Sequence, residues 1–347
     1  MLKTICICGG GALAHTVAGY IASQGACEVR VLTRHPEQWS STLLIDDAMG
    51  NQFKANLSMV THSASLAVTG ADIVLMCVPG FAIADVIKQI APFVDSDTPV
   101  GSIVSSTGFF FIAHKLMPES TKLFGFQRVP FIARTTHYGH TAVIKGYKSK
   151  LLLATQNIKS QHREVLASDF EKLLNTPVEL LNSYYEASLT NSNPLLHTSR
   201  IYSMWKNWHP GITYNTCQQF YADWTTDASR YYIAMDNEFQ QLLRVLPVAP
   251  GAIPTVLDYY ESSDELSLTQ KLRSIEAFKG IMAPMVGNQR SGFVPDFSSR
   301  YFTEDFPFGL RWIAELAHEM NVASPVIDEV YGWGLVVIDS YSAQSKK

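Results

Sequence analysis

Two sets of residues in this chain have the types and spacing to do chemistry. The first is Gly9-Gly10-Gly11-Ala12-Leu13-Ala14, directly behind the apolar run Thr4–Cys8. A strand that ends in glycines and runs on into a helix offers backbone N–H groups to phosphates. Gly9 permits the tight turn, Gly11 lets the main chain approach a pyrophosphate, and Ala14 is small enough for close helix–sheet packing. The second set is His197, near the start of a helix expected to have Asn193 as its N-cap and Pro194 as its first residue, together with Arg300 and Asp305. An imidazole is the side chain that changes charge near neutrality, so His197 is either an acid/base or a histidine satisfied by neighbouring backbone. Asp305 either caps the helix begun at Pro307 or stands against His197, where a carboxylate fixes the tautomer and favours the imidazolium. Arg300 either grips a substrate carboxylate with its two-pronged guanidinium or is a solvated surface charge.

Elements must carry these residues to one place. Apolar or small residues at Ala14, Val17, Ala18 and Ile21 predict a helix, Gly25 closes it, and Glu28–Leu32 predicts a second strand. That strand–turn–helix–strand unit is the context a dinucleotide site requires. The second strand is followed by Thr33-Arg34-His35, with no carboxylate before Glu37. A hydroxyl and a guanidinium suit a 2′-phosphate better than free ribose hydroxyls, so NADP(H) is expected over NAD(H), with Arg34 the main contact. The continuous apolar run Asp72–Val78 predicts a strand covered on both faces, which puts Val78 and Pro79 at the edge where such sheets hold ligands. Val143–Lys148 and Leu151–Leu153 read as a strand pair, followed by a helix near 165–174 and a strand at Val178–Leu181.

Beyond that point the period is helical, with segments expected near 194–208, 220–246, 268–279, 307–320 and 325–340. The fold class expected is α/β: a Rossmann-type dinucleotide-binding domain over 1–183, then an all-helical domain over 184–347 holding the substrate and catalytic residues. A helical domain on a nucleotide-binding sheet leaves a cleft suited to a small substrate.

The 347 residues are 47% hydrophobic and 17% charged, with a formal net charge of −4, enough apolar material for two cores. An acidic balance without a dense Lys/Arg run argues against nucleic acid. No apolar run is long enough for a membrane span, and the five cysteines lack paired spacing, which predicts reduced thiols in a cytoplasmic protein. His137 and His140 lack a third ligand nearby in sequence, so no metal is expected. Arg134 is a candidate for holding a substrate carboxylate or the cofactor, with a structural ion pair as its alternative. The aromatic group Tyr202, Trp205, Trp208, Tyr214, Phe220, Tyr221 and Trp224 reads as helical core rather than a stacking platform. A homodimer is compatible with an exposed helical face.

The chain resembles the opine dehydrogenases, the octopine dehydrogenase-like family, through most of its length. The resemblance runs through Gly9–Ala14 and through Val129-Pro130-Phe131-Ile132-Ala133-Arg134 leading to Tyr138-Gly139. It continues in Glu186-Ala187-Ser188-Leu189 through Asn193-Pro194 to His197, in Phe220-Tyr221 with Asp236 and Glu238, and in Arg300-Tyr301 through Glu304-Asp305 to Pro307 and Gly309-Leu310. It implies an NAD(P)H-dependent enzyme that joins an α-keto acid to the amino group of an amino acid and reduces the resulting imine. His197 would be the acid/base, Asp305 its partner and Arg300 a carboxylate anchor, with Arg134 and Asn193 as further substrate contacts. Two alternatives stay open: an NADPH-dependent α-keto acid reductase resembling ketopantoate reductase, and a non-catalytic sensor of NADP redox state. The first usually relies on a lysine at the start of the helical domain, where this chain has His197 and no lysine until Lys206.

Overall fold

The computed structural model describes residues 2–287 and 292–344. The chain divides into two compact units, Met1–Thr190 and Asn191–Lys347.

The strands of the first unit are β1 (Thr4–Cys8), β2 (Glu28–Leu32), β3 (Thr42–Asp47), β4 (Gln52–Asn56), β5 (Met59–Thr61) and β6 (Ile73–Met76). They continue as β7 (Val100–Ser102), β8 (Leu123–Phe126), β9 (Phe131–His137), β10 (Thr141–Tyr147), β11 (Leu151–Gln156) and β12 (Val178–Leu180). Its helices are α1 (Ala12–Ser23), α2 (Ala64–Val68), α3 (Gly80–Ile90), α4 (Phe109–Leu116), α5 (Ser160–Leu174) and α6 (Tyr184–Leu189). An eight-stranded sheet runs β12-β11-β8-β7-β6-β1-β2-β5. It is parallel from β8 to β5, and β8 meets β11 antiparallel. Ile5 and Ile7 of β1 are fully buried, and burial of such a side chain is worth about 1.5–3 kcal/mol. The order turns at β1, with β2 on one side and β6 on the other, which opens a crevice at their carboxyl ends.

A second sheet, β4-β3-β10-β9, covers the other side of α1. This accounts for a helix buried from Ala14 to Ala22 without an outward polar face. The approach is close: a Cβ on Gly19 would come within 2.5 Å of Ile45. The expected pairing of 143–148 with 151–153 is corrected here. β10 pairs with β3 and β9 in the small sheet, whereas β11 pairs with β8 and β12 in the large one. Two successive apolar runs look alike in sequence whether they face each other or enter different sheets.

The unit ends at Thr190, not at the expected 183, because α6 packs on β8, β11 and α4 of the first unit. Tyr184 of α6 stacks on Phe110 of α4 at 5.0 Å.

The second unit is built from α7 (Asn193–Trp205), α8 (Thr226–Val245), α9 (Val256–Tyr259), α10 (Glu265–Ser274), α11 (Arg300–Thr303), α12 (Arg311–Glu319) and α13 (Pro325–Gln344). It also carries a short hairpin, β13 (Met285–Gly287) with β14 (Phe293–Pro295), so it is not wholly helical as expected. The helix expected from 220 starts at Thr226, where Thr225 caps it by accepting from the Ala228 N–H. α7 packs on α8, α13 and the π-type turn Phe306–Leu310. Its cap is also corrected: the N-cap is Ser192 rather than Asn193, and the Asn193 N–H donates to the Asn191 side chain at 3.2 Å. Among the described residues no helix is long and apolar enough to cross a membrane.

Candidate active site

In the first unit, the residues expected to hold a dinucleotide meet at the carboxyl ends of β1, β2 and β6. Gly9 sits at φ +144°, and a Cβ there would come within 2.6 Å of the Cys77 carbonyl, so only glycine fits. A Cβ on Gly11, by contrast, would stand in open space. Gly11 is the N-cap of α1 and no side chain caps that end, so the N–H groups of Ala12, Leu13 and Ala14 are left for a ligand. Ala14 packs against Gly9, as its small size allows. Val78 and Pro79 follow β6, and Pro79 opens α3, again without a side-chain cap. Thr33 is buried at the end of β2, and Arg34 beside it is exposed, with no carboxylate before Glu37. An open backbone cradle, an uncapped helix and a nearby guanidinium fit a phosphorylated dinucleotide.

In the second unit, His197 and Asp305 stand together although 108 positions separate them. Two local features produce this. The turn Phe306–Leu310 closes with the Leu310 N–H on the Asp305 carbonyl at 2.8 Å, a wide π-type turn of the kind frequent at functional sites. Gly309 in that turn presses on the start of α7, where a Cβ would come within 2.5 Å of Pro194. Asp305 stands at the N-cap position of that turn, but its side chain makes no capping hydrogen bond. Its carboxylate instead takes the His197 Nδ1 at 2.8 Å, with the two side chains only 13% and 17% exposed.

Because the Asp305 carboxylate can only accept, Nδ1 carries a proton, and in the neutral ring Nε2 presents a lone pair. That lone pair accepts from the Tyr221 hydroxyl at 3.0 Å. Burial above all, with Tyr301, Tyr260 and Asp305 nearby, holds the Tyr221 phenol well above its ordinary pKa, so it remains a neutral donor. Phe220 and Tyr301 stand edge-on to the imidazole, with ring centres 5.7 and 4.8 Å away. The result is a histidine with one nitrogen on a carboxylate and the other on a phenol, inside an aromatic wall.

Tyr221 was expected only as core. It lies in a turn before α8, and Arg200 holds that turn. The Arg200 guanidinium is buried and donates to the carbonyls of Phe220 at 3.1 Å and Asp223 at 2.7 Å. Burial lowers its pKa to about 10, which leaves it charged at neutral pH. The available signal was its place one turn after His197 on the same helix.

The remaining expected residues are more loosely placed. Arg300 is 84% exposed and bound to Glu304 through two bonds of 3.0 and 2.8 Å. Asn193 is exposed one turn ahead of His197 on α7. Arg134 is exposed on β9, in the first unit, and donates to the Ala133 carbonyl. His137 and His140 stack at 4.6 Å, and among the described residues no cluster of three metal-ligating side chains occurs.

Residues 180–338 match the family model described as NAD/NADP octopine/nopaline dehydrogenase, alpha-helical domain. Residues 5–125 match that of ketopantoate reductase PanE/ApbA. The chain is 28% identical to the octopine dehydrogenase of Mizuhopecten yessoensis, over 96% of this chain and 89% of that one. It is 29% identical to the tauropine dehydrogenase of Arabella iricolor, over 96% and 90%. Among solved structures, octopine dehydrogenase with NADH and L-arginine shares the fold with a TM-score of 0.84 at 24% identity, covering 97% of this chain and 90% of that one. Yersinopine dehydrogenase with NADP+ follows with a TM-score of 0.71 at 12% identity, covering 99% and 92%.

Proposed function

We propose that the chain is a member of the opine dehydrogenase family, an NADP(H)-dependent oxidoreductase that reduces the imine formed between an α-keto acid and an amino acid. The observation that carries this reading is the His197 imidazole held between Asp305 and Tyr221. The nicotinamide dinucleotide, when bound, supplies the hydride. The chain's own residues manage the protons.

His197 exchanges its proton at Nε2. As the neutral ring it accepts a proton from the incoming amine; protonated at Nε2 it returns one as water leaves the condensing pair or as the imine carbon is reduced. Asp305 keeps Nδ1 protonated throughout and offsets the positive charge that appears on the ring. The Tyr221 hydroxyl aligns Nε2 and gives way to the substrate's own hydrogen-bonding group. Asn193 shares that face of α7 and is our further substrate contact. Arg300 anchors a substrate carboxylate by exchanging Glu304 for it, a like-for-like bidentate swap. Arg134 we assign as a second carboxylate contact. Arg34 and Thr33, with no carboxylate beside them, favour NADP(H) over NAD(H).

A second reading, direct reduction of an α-keto acid, draws on the ketopantoate reductase match over 5–125. Against it, Lys206 lies at the end of α7 and is bound to Asp227 and Tyr231 at 3.2 and 3.0 Å. A co-substrate screen followed by NADPH absorbance separates the readings. Consumption that requires both a keto acid such as pyruvate and an amino acid is expected. Consumption with keto acid alone supports the reductase, and tight NADPH binding without turnover supports a sensor.

A further inference from the structure

The turn between β9 and β10 carries Tyr138 and Gly139, and nothing in the reaction above uses it. That turn is fixed from several directions. The Gly139 N–H donates to His15 Nε2 at 2.7 Å, and the Gly139 carbonyl accepts from the Ser40 N–H at 2.9 Å. Gly139 itself sits at φ +73°, with the Gln38 carbonyl where a Cβ would be, so no other residue fits. His15, fully buried on α1, contacts the Gly11 carbonyl through Nδ1 at 2.9 Å. Because Nε2 accepts from Gly139, Nδ1 is the donor, and a single neutral ring ties the β9–β10 turn to the glycine turn. Trp39 lies against the His15 ring at 4.0 Å with the planes tilted by 30°, and Tyr138 stands edge-on to it at 5.3 Å.

This bracing puts the Tyr138 hydroxyl over the middle of the glycine turn. The position a Cβ would take on Gly10 is 2.7 Å from the Tyr138 hydroxyl and 2.8 Å from the Thr33 hydroxyl. Two hydroxyls from separate sheets therefore converge on one point, beside Arg34 and at the end of β2. Among the described residues neither hydroxyl has a hydrogen-bond partner. In a dinucleotide site, the end of the second strand is where the adenosine ribose is read.

We infer that Tyr138, with Thr33, forms the polar floor of the adenosine 2′-phosphate site, and that the His15–Gly139 bond positions it there. The Tyr138 and Thr33 hydroxyls donate to the phosphate oxygens while Arg34 supplies the charge. Glycine at position 10 is then required because a side chain there would displace both hydroxyls. This inference rests on the dinucleotide reading of the glycine turn, not on the identity of the keto acid or amine.

The test measures Kd for NADPH and NADH by fluorescence titration of the full chain, without substrates. Tyr138→Phe removes one oxygen and keeps the ring that packs against His15. NADPH affinity is expected to fall roughly tenfold, as for loss of a hydrogen bond to a charged group, with NADH affinity changed far less. Thr33→Val should act in the same direction. His15→Leu should weaken NADPH binding only while Tyr138 is present, so it adds nothing to Tyr138→Phe. Unchanged NADPH affinity in Tyr138→Phe, or an equal loss for both cofactors, overturns the inference. If the wild-type chain binds neither cofactor, the dinucleotide reading fails instead.

Discussion

The two candidate sites are built in different ways. The dinucleotide cradle of the first unit is largely backbone: a positive-φ glycine at position 9, an uncapped helix end and open space above Gly11, all within a few consecutive residues. The acid–base site of the second unit is made of side chains from α7, from the turn before α8 and from the π-type turn after α11. A backbone site is specified by what must be absent, a Cβ. A side-chain site is specified by what must arrive from elsewhere. The two should therefore fail differently.

The largest contrast is between His197→Ala and Gly9→Ala. Removing the imidazole should lower turnover about 10²–10⁴-fold while leaving NADPH affinity unchanged. Adding a methyl group to Gly9 should abolish cofactor binding, because at φ +144° it would come within 2.6 Å of the Cys77 carbonyl. Stopped-flow turnover and equilibrium NADPH titration on the same two variants check both statements. If His197→Ala weakens NADPH binding as much as turnover, the proposed separation of roles is wrong.

A smaller effect sharpens the side-chain half. Tyr221→Phe keeps the ring stacked on Phe278 at 4.0 Å and removes only the donor to Nε2. We expect kcat to fall about tenfold with KM little changed, the scale of one lost hydrogen bond. Arg200→Met should give a similar loss in kcat, because it frees the carbonyls of Phe220 and Asp223 that hold Tyr221 in place. The two losses should not add, since the second acts through the first. Fully additive losses would mean that Arg200 acts on turnover by a route that does not pass through Tyr221.

The same contrast explains what could be read from the sequence. The β1–α1–β2 unit and its glycine positions were legible because each requirement is local and fixed by steric rules. The helix bearing His197 was legible from its period, and Asp305 was recognised as a possible partner as well as a cap. Tyr221 was not separable from core, because a phenol on the imidazole and a phenol in packing leave the same aromatic pattern. The small sheet of β3, β4, β9 and β10 was not anticipated, because parallel pairing of β3 with β10 joins segments far apart in sequence. Without that sheet, nothing explained a histidine at position 15 on a helix otherwise lined with small and apolar residues. Arg300 was legible as a guanidinium near the site, but its bidentate hold on Glu304 is an i,i+4 pairing that surface helices also make.

The finest contrast lies between the histidines themselves, since His15 hydrogen-bonds only to backbone groups where His197 meets a carboxylate. Burial pulls the His15 pKa below its ordinary value of 6.5; the Gly11 carbonyl opposes this and His140 adds to it. The unfolded chain, with an ordinary ring, then binds more protons than the folded one just below pH 6.5. Stability consequently rises with pH through that window: the contribution is complete above 6.5 and is lost as the pH falls below it. Protonation would also place a second donor against the Gly139 N–H, which breaks the bond that braces the β9–β10 turn. His15→Gln keeps a donor and an acceptor but does not titrate. Urea unfolding followed from pH 7.5 down to pH 5 should show a shallower loss of stability in His15→Gln than in the wild-type chain. Hydrogen exchange in β9 and β10 should accelerate on acidification only when His15 is present. Equal pH slopes in the two proteins would show that some other group governs the acid sensitivity of the first unit.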